Sequence, residues 1–87
     1  MTQNPPDADS LLNERERTHG TYAENSRRYA LLRAAMEPIP PGLDYAISGI
    51  LIKLARIASG DKTHADHWDD IIGYSQLAKK TVEGGTK

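Results

Sequence analysis

Three short stretches break this chain where no regular element can pass: "THGT" at 18–21, "EPIPPG" at 37–42 and "SGDK" at 59–62. Gly20 suits the left-handed residue that closes a helix, and "TYAE" directly after it has the spacing of a capping box, Thr21 with Glu24. The prolines of "EPIPPG" remove amide donors and restrict the residues before them, so a helix must end there. Between the breakers the apolar residues recur at helical period, and no stretch alternates polar and apolar as a half-buried strand would. The expectation is an all-α fold, a small bundle of three to four helices. The short connection after Gly60 makes the last two an antiparallel hairpin.

The first helix is expected from about Ser10 through "LLNERER". The second covers about 22–36, with Tyr22, Asn25, Tyr29, Leu32 and Met36 forming one seam. Asn25 is its polar member, placed either to fix register or to face a ligand. The third covers about 43–59. Leu43, Ile47, Ile50, Leu51, Leu54 and Ile57 make its broad apolar face, and Tyr45, Gly49, Lys53 and Arg56 gather opposite with Ile52. The fourth covers about 64–82, opened by a second capping-box spacing, Thr63 with Asp66. Its core face is read as Trp68, Ile71, Ile72, Ala78 and Val82, with Asp66, Asp70, Gly73 and Leu77 on the other side.

Composition bounds the rest. Eighty-seven residues make one domain, placed at 10–82, between a loose segment at 1–9 and a fraying tail at 83–87. Phenylalanine is absent, so Ile, Leu, Ala, Tyr and Trp68 must supply a thin core, which favours completion by a second copy in a dimer or larger assembly. Without cysteine there is no disulfide framework and no thiolate site. A net charge of −1 with mixed signs disfavours duplex nucleic acid as partner. "AISGILIKLARIA" is interrupted by Lys53 and Arg56 and is too short to span a bilayer, so a soluble, cytoplasmic protein with no membrane partner is expected.

The chemistry concentrates in "ADHWDDIIGYS". On one account Asp66 offsets the helix dipole, while Asp69 and Asp70 are surface carboxylates that Lys53 or Arg56 can pair with across the hairpin. On the other, Asp66 and Asp70, four apart on one face, hold Mg²⁺, and Lys53 and Arg56 grip the phosphates of a nucleotide. Gly73, one turn on, would admit a ligand or a second helix. His64 and His67 are three apart near a helix start, a spacing that could serve a zinc ion, but the lack of a cysteine or third histidine nearby disfavours that reading, and His67 reads as a cap or a solvent-facing residue. His19 reads as orienting the turn. No nucleophile motif and no glycine-rich phosphate loop is present.

"ERERTHGTYAEN" and "KLARIASGDKTHADHWDDIIGYSQLA" together resemble a family of small phage and prophage proteins with "R…THG-x-Y-x-x-N" and "KLARI-x-SG…DHW-x-D-x-x-GY" segments. More distantly, the chain is similar to MazG-like all-α nucleoside triphosphate pyrophosphohydrolases and to nucleotide-modification-associated domains. The resemblance implies a self-associating helical protein of a bacterial host's cytoplasm, with acidic metal sites on neighbouring helices. It carries over Arg17, Thr18, His19, Gly20, Tyr22 and Asn25 from the first segment. From the second it carries over Lys53, Arg56, Asp66, Trp68, Asp70, Gly73 and Tyr74. The Glu-x-x-Glu pair of the MazG-like enzymes has no counterpart, since the third helix offers only Asp44. The expected function is therefore binding of a phosphorylated nucleotide or a host protein through Lys53, Arg56, His19, Tyr22, Asn25, Trp68 and Tyr74. The alternatives are Mg²⁺-dependent pyrophosphohydrolysis on Asp66 and Asp70, and an anti-defence protein that sequesters a signalling nucleotide or blocks a host component.

Overall fold

The structure is a computed structural model that describes the backbone of residues 8–84 and the side chains of residues 13–84. The expectations for the two chain ends lie largely outside these residues. Four helices follow one another, α1 (Ala8–His19), α2 (Tyr22–Met36), α3 (Asp44–Ser59) and α4 (Ala65–Glu83), with a 3₁₀ turn at Pro41–Leu43 leading into α3. The all-α expectation holds, and no strand occurs among the described residues.

Cross-helix contacts give the topology. Lys53 meets Asp70 and Gly49 lies against Tyr74, so position numbers fall along α3 as they rise along α4. That is the antiparallel hairpin. Tyr29 and Arg33 of α2 reach Ser48, and Arg33 also pairs with Asp44, which makes α2 antiparallel to α3 as well. Both outer helices pack on α3 and hardly on each other. The arrangement is open and elongated: the radius of gyration is 16.3 Å, against about 12 Å for a compact chain of this length.

This openness explains the core. Among the described residues, Ala46, Leu51 and Ala55, all on α3, are the buried apolar side chains. The expected division of α3 into an apolar face and an opposite side does not describe it, because helices cover it on two sides. Gly49, assigned to the far side, is buried under the Tyr74 ring, where an added Cβ would lie 2.5 Å from an aromatic carbon. Ile52 stays exposed.

The inward face of α4 is also corrected. Its residues that are not exposed are His67, Ile71, Tyr74, Ala78 and Thr81, a four–three–four–three stripe. Trp68 is 48% exposed, and Ile72 and Val82 are exposed too. The core stripe sits one position back from the tryptophan, because the helix approaches α3 through His67 rather than through its largest aromatic. On α2 the middle of the expected seam holds, with Asn25, Tyr29 and Leu32 partly covered, whereas Tyr22 and Met36 at its ends are exposed.

Caps follow the same mixture. Thr21 accepts from the Glu24 amide at 3.2 Å, but Glu24 turns to Arg27 and Arg28 instead of reaching back. The second box does not form. Thr63 donates its amide and hydroxyl to the Asp61 carboxylate (2.8 and 2.6 Å), and α4 starts after His64 with no side-chain cap.

Candidate functional site

The two sequence segments singled out above meet at one end of the molecule. Gly20, at φ +82°, turns the chain out of α1 while its amide bonds Glu16 O at 2.7 Å. An added Cβ there would collide with Ser59, and one on Gly60 would collide with the Thr18 carbonyl. Both glycines are thus needed for α1's end and α3's end to touch backbone to backbone. Thr18 O then accepts from the Asp61 amide at 3.0 Å and from His67 Nε2 at 3.3 Å. His19 O accepts from Asn25 Nδ2 at 2.8 Å. The structural role of Asn25 is therefore to lock the turn, and its Oδ1 is left covered without a donor.

The histidines converge here. His67, expected as a cap or a solvent-facing residue, is the most deeply buried large side chain among the described residues, 1% exposed. Its ring lies 4.8 Å from that of His19, edge to face, and 4.9 Å from that of His64, while His19 and His64 are 5.6 Å apart. The missing third histidine is His19, supplied from a turn more than forty residues away. Burial is the main cause that lowers the pKa values of His19 and His67 below the ordinary imidazole value. For His67 the neighbouring His64, Lys53 and Arg56 act in the same direction, against its bond to Thr18 O. In both rings burial favours the neutral form.

Beside this knot lies an open cleft. One part is lined by Arg15, Glu16, His19, Gly20, Tyr22, Asn25 and Arg56. It continues over Ser26, Tyr29 and Ile52 into a space of about 350 Å³. Tyr22 and Arg56 border both parts, and Tyr22 is 84% exposed, with its ring free. The Arg56 carbonyl accepts from the Gly60 amide, but its guanidinium makes no hydrogen bond or ion pair among the described residues, although it stands close enough to affect the titration of His19, His67 and Asp70. Of the seven residues expected to bind a ligand, His19, Tyr22, Asn25 and Arg56 come together here.

The remaining three lie elsewhere. Lys53 Nζ bonds Asp70 Oδ2 at 2.7 Å, and this ammonium holds the Asp70 carboxyl below its usual range. Tyr74 packs on Gly49 and, edge to face, on Tyr45 at 5.9 Å. Trp68 sits on the outer flank of α4. The acidic pair offers a poor seat for magnesium, since an ion at Asp70 would have to displace an ammonium. Asp66 projects outward, 80% exposed, with Oδ2 3.7 Å from His64 Nε2. Gly73 faces open space, so the close approaches expected there occur instead at Gly20, Gly49 and Gly60.

The sequence profile of a family described as a domain of unknown function (DUF6378) matches residues 6–82. The chain belongs to that family. The DUF6378 match spans the helices and both segments that build the histidine end, so the knot and its cleft lie wholly inside the domain. No curated protein and no solved structure matches the chain.

Proposed function

We propose that this DUF6378 domain binds a phosphorylated nucleotide in the cleft between α2 and α3, without turning it over. The observation that carries the reading is Arg56: a guanidinium with no carboxylate partner, in a cleft walled by Tyr22 and Tyr29. A planar fork of donors suits phosphate oxygens, and an exposed aromatic ring suits a base, to which stacking contributes about 1–3 kcal/mol. Arg15 adds a second cation at the turn end of the cleft, and Glu16 sets a limit on how much anion the site accepts. Binding is preferred over hydrolysis because Asp70 is committed to Lys53, which breaks the Asp66–Asp70 pair expected to hold the ion. The resemblance to small phage proteins and, more remotely, to MazG-like enzymes agrees with a nucleotide ligand in a bacterial host's cytoplasm and leaves room for a role in sequestering a signalling nucleotide.

Calorimetry against nucleoside mono-, di- and triphosphates and cyclic nucleotides tests this. One class should bind with 1:1 stoichiometry, insensitive to chelator and recovered intact. Arg56→Ala should weaken it at least about tenfold, the loss of one charge-assisted contact. Silence across the panel would end the reading.

A second reading, self-association, rests on the exposed flank of α4. Trp68, Ile72 and Val82 lie within about 80° of arc on that helix and all are exposed. With three buried apolar side chains in the described part, a second copy laid along this flank would supply the burial that one chain lacks. Light scattering should return a mass of two chains or more, and Trp68→Lys should return it to one. The same flank would serve an anti-defence role by docking a host protein, an outcome that a monomeric mass would favour.

A further inference from the structure

We propose that His19, His64 and His67 form a binding site for one transition-metal ion, Zn²⁺ being the best fit. One ring nitrogen from each lies within 4.8 Å of the others. The residues come from two separate stretches, the end of α1 and the start of α4, so helix periodicity does not bring them together by itself. A tetrahedral zinc site with bonds of about 2.0–2.1 Å needs nitrogens about 3.3 Å apart. Small side-chain rotations close the difference, and His64, at the mouth with 30% of its side chain exposed, has room to make them.

The surroundings favour metal over a plain histidine stack. His19 Nδ1 lies 2.7 Å from Thr18 Oγ1 and 3.2 Å from Arg15 O; the carbonyl only accepts and the Thr18 hydroxyl already donates to it, an arrangement that places the proton on Nδ1 and the lone pair on Nε2. His67 Nε2 faces Thr18 O at 3.3 Å, which leaves the lone pair on Nδ1. Metal-bound imidazoles are oriented in this way, with one nitrogen donating to a backbone carbonyl and the other free for the ion. His64 has Asp66 Oδ2 at 3.7 Å from Nε2, a carboxylate near enough to orient the ring or to fill a fourth position. Three imidazoles with a fourth position for carboxylate or water suit Zn²⁺, Co²⁺ or Ni²⁺, and do not suit Mg²⁺, which takes oxygen ligands. The ion would clasp the Thr18–Gly20 turn to the first turn of α4. The site shares His19 with the cleft lining, but it needs no nucleotide in the cleft, and the metal titration can fail or succeed without the nucleotide reading.

The test uses the full chain, stripped with chelator and titrated with Zn²⁺ or Co²⁺ alone. The site predicts one equivalent bound, a rise in melting temperature, and the visible absorption of tetrahedral Co²⁺. His64→Ala, at a helix start where the side chain makes no cap bond, should weaken binding at least about tenfold, as loss of a ligand must. If that variant does not fold, the histidine side-chain ¹⁵N shifts of the wild-type protein with Zn²⁺ decide the matter, and all three rings should move. Substoichiometric binding, an octahedral Co²⁺ spectrum, or a folded His64→Ala that binds as wild type would overturn the site.

Discussion

The two ends of the α2–α3 pair are joined in different ways. At the histidine end, backbone touches backbone through Gly20 and Gly60, and a buried imidazole completes the join. At the proline end, Arg33 gathers Asp44, Ser48 and Glu37 on a partly exposed surface. The first join tolerates no extra atom; the second is made of long side chains that can rearrange. The contrast implies that stability concentrates where the cleft is, so that the site is held rigid by the same contacts that hold the fold.

Substitutions can break or sharpen that contrast. The largest effect is expected for Gly20→Ala, which puts a side chain at positive φ and against Ser59: about 3 kcal/mol lost by chemical denaturation. Next is His67→Ala, which opens a void and removes the donor to Thr18 O, at about 2 kcal/mol. At the proline end, Asp44→Asn should cost less than about 1 kcal/mol, since it touches a half-exposed pair. Gly73→Ala is the mildest and opposite in sign. It sits in open space on a helix, so removing the glycine should stabilise by up to about 1 kcal/mol. Should Asp44→Asn prove as damaging as Gly20→Ala, the contrast collapses.

Acidity offers a further comparison between the ends. The folded pKa of His67 lies below the ordinary 6.5, so between those two values the unfolded chain holds a proton that the folded chain does not. Stability therefore rises with pH across that window, is complete above about 6.5, and is lost as the pH falls toward the folded value. Melting temperature measured from pH 7.5 to 5 should drop, and His67→Gln, though less stable, should show a shallower drop. His19, His64, Lys53 and Arg56 face His67, and the Asp70 carboxylate, which also lies close enough to interact with it, is held by the Lys53 ammonium.

Much of the architecture could be read from residues. The breakers at Gly20, Pro38 and Gly60 delimit α2 and α3, since proline, the positive-φ Gly20 and the close backbone approach at Gly60 all act locally. The stripe on α4 could not be read, because hydrophobicity favours Trp68 while tertiary contact selects His67, a residue whose burial depends on the Thr18 carbonyl arriving from another helix. The histidine trio was hidden for the same reason. His64 and His67 are visible as a pair, but His19 joins them only once the "THG" turn meets "SGD". The cleft was half legible: His19, Tyr22, Asn25 and Arg56 were candidates from their segments, whereas Lys53 is removed from it by Asp70, a pairing that the hairpin register decides.

The most direct measurement of the central claim is a ¹H–¹⁵N correlation titration of the full chain with a nucleoside triphosphate. Saturable shifts clustered at Arg15–Asn25 and Ile52–Arg56, with the outer flank of α4 silent, are the predicted result. No shift at millimolar ligand, or shifts confined to Trp68, Ile72 and Val82, would contradict it.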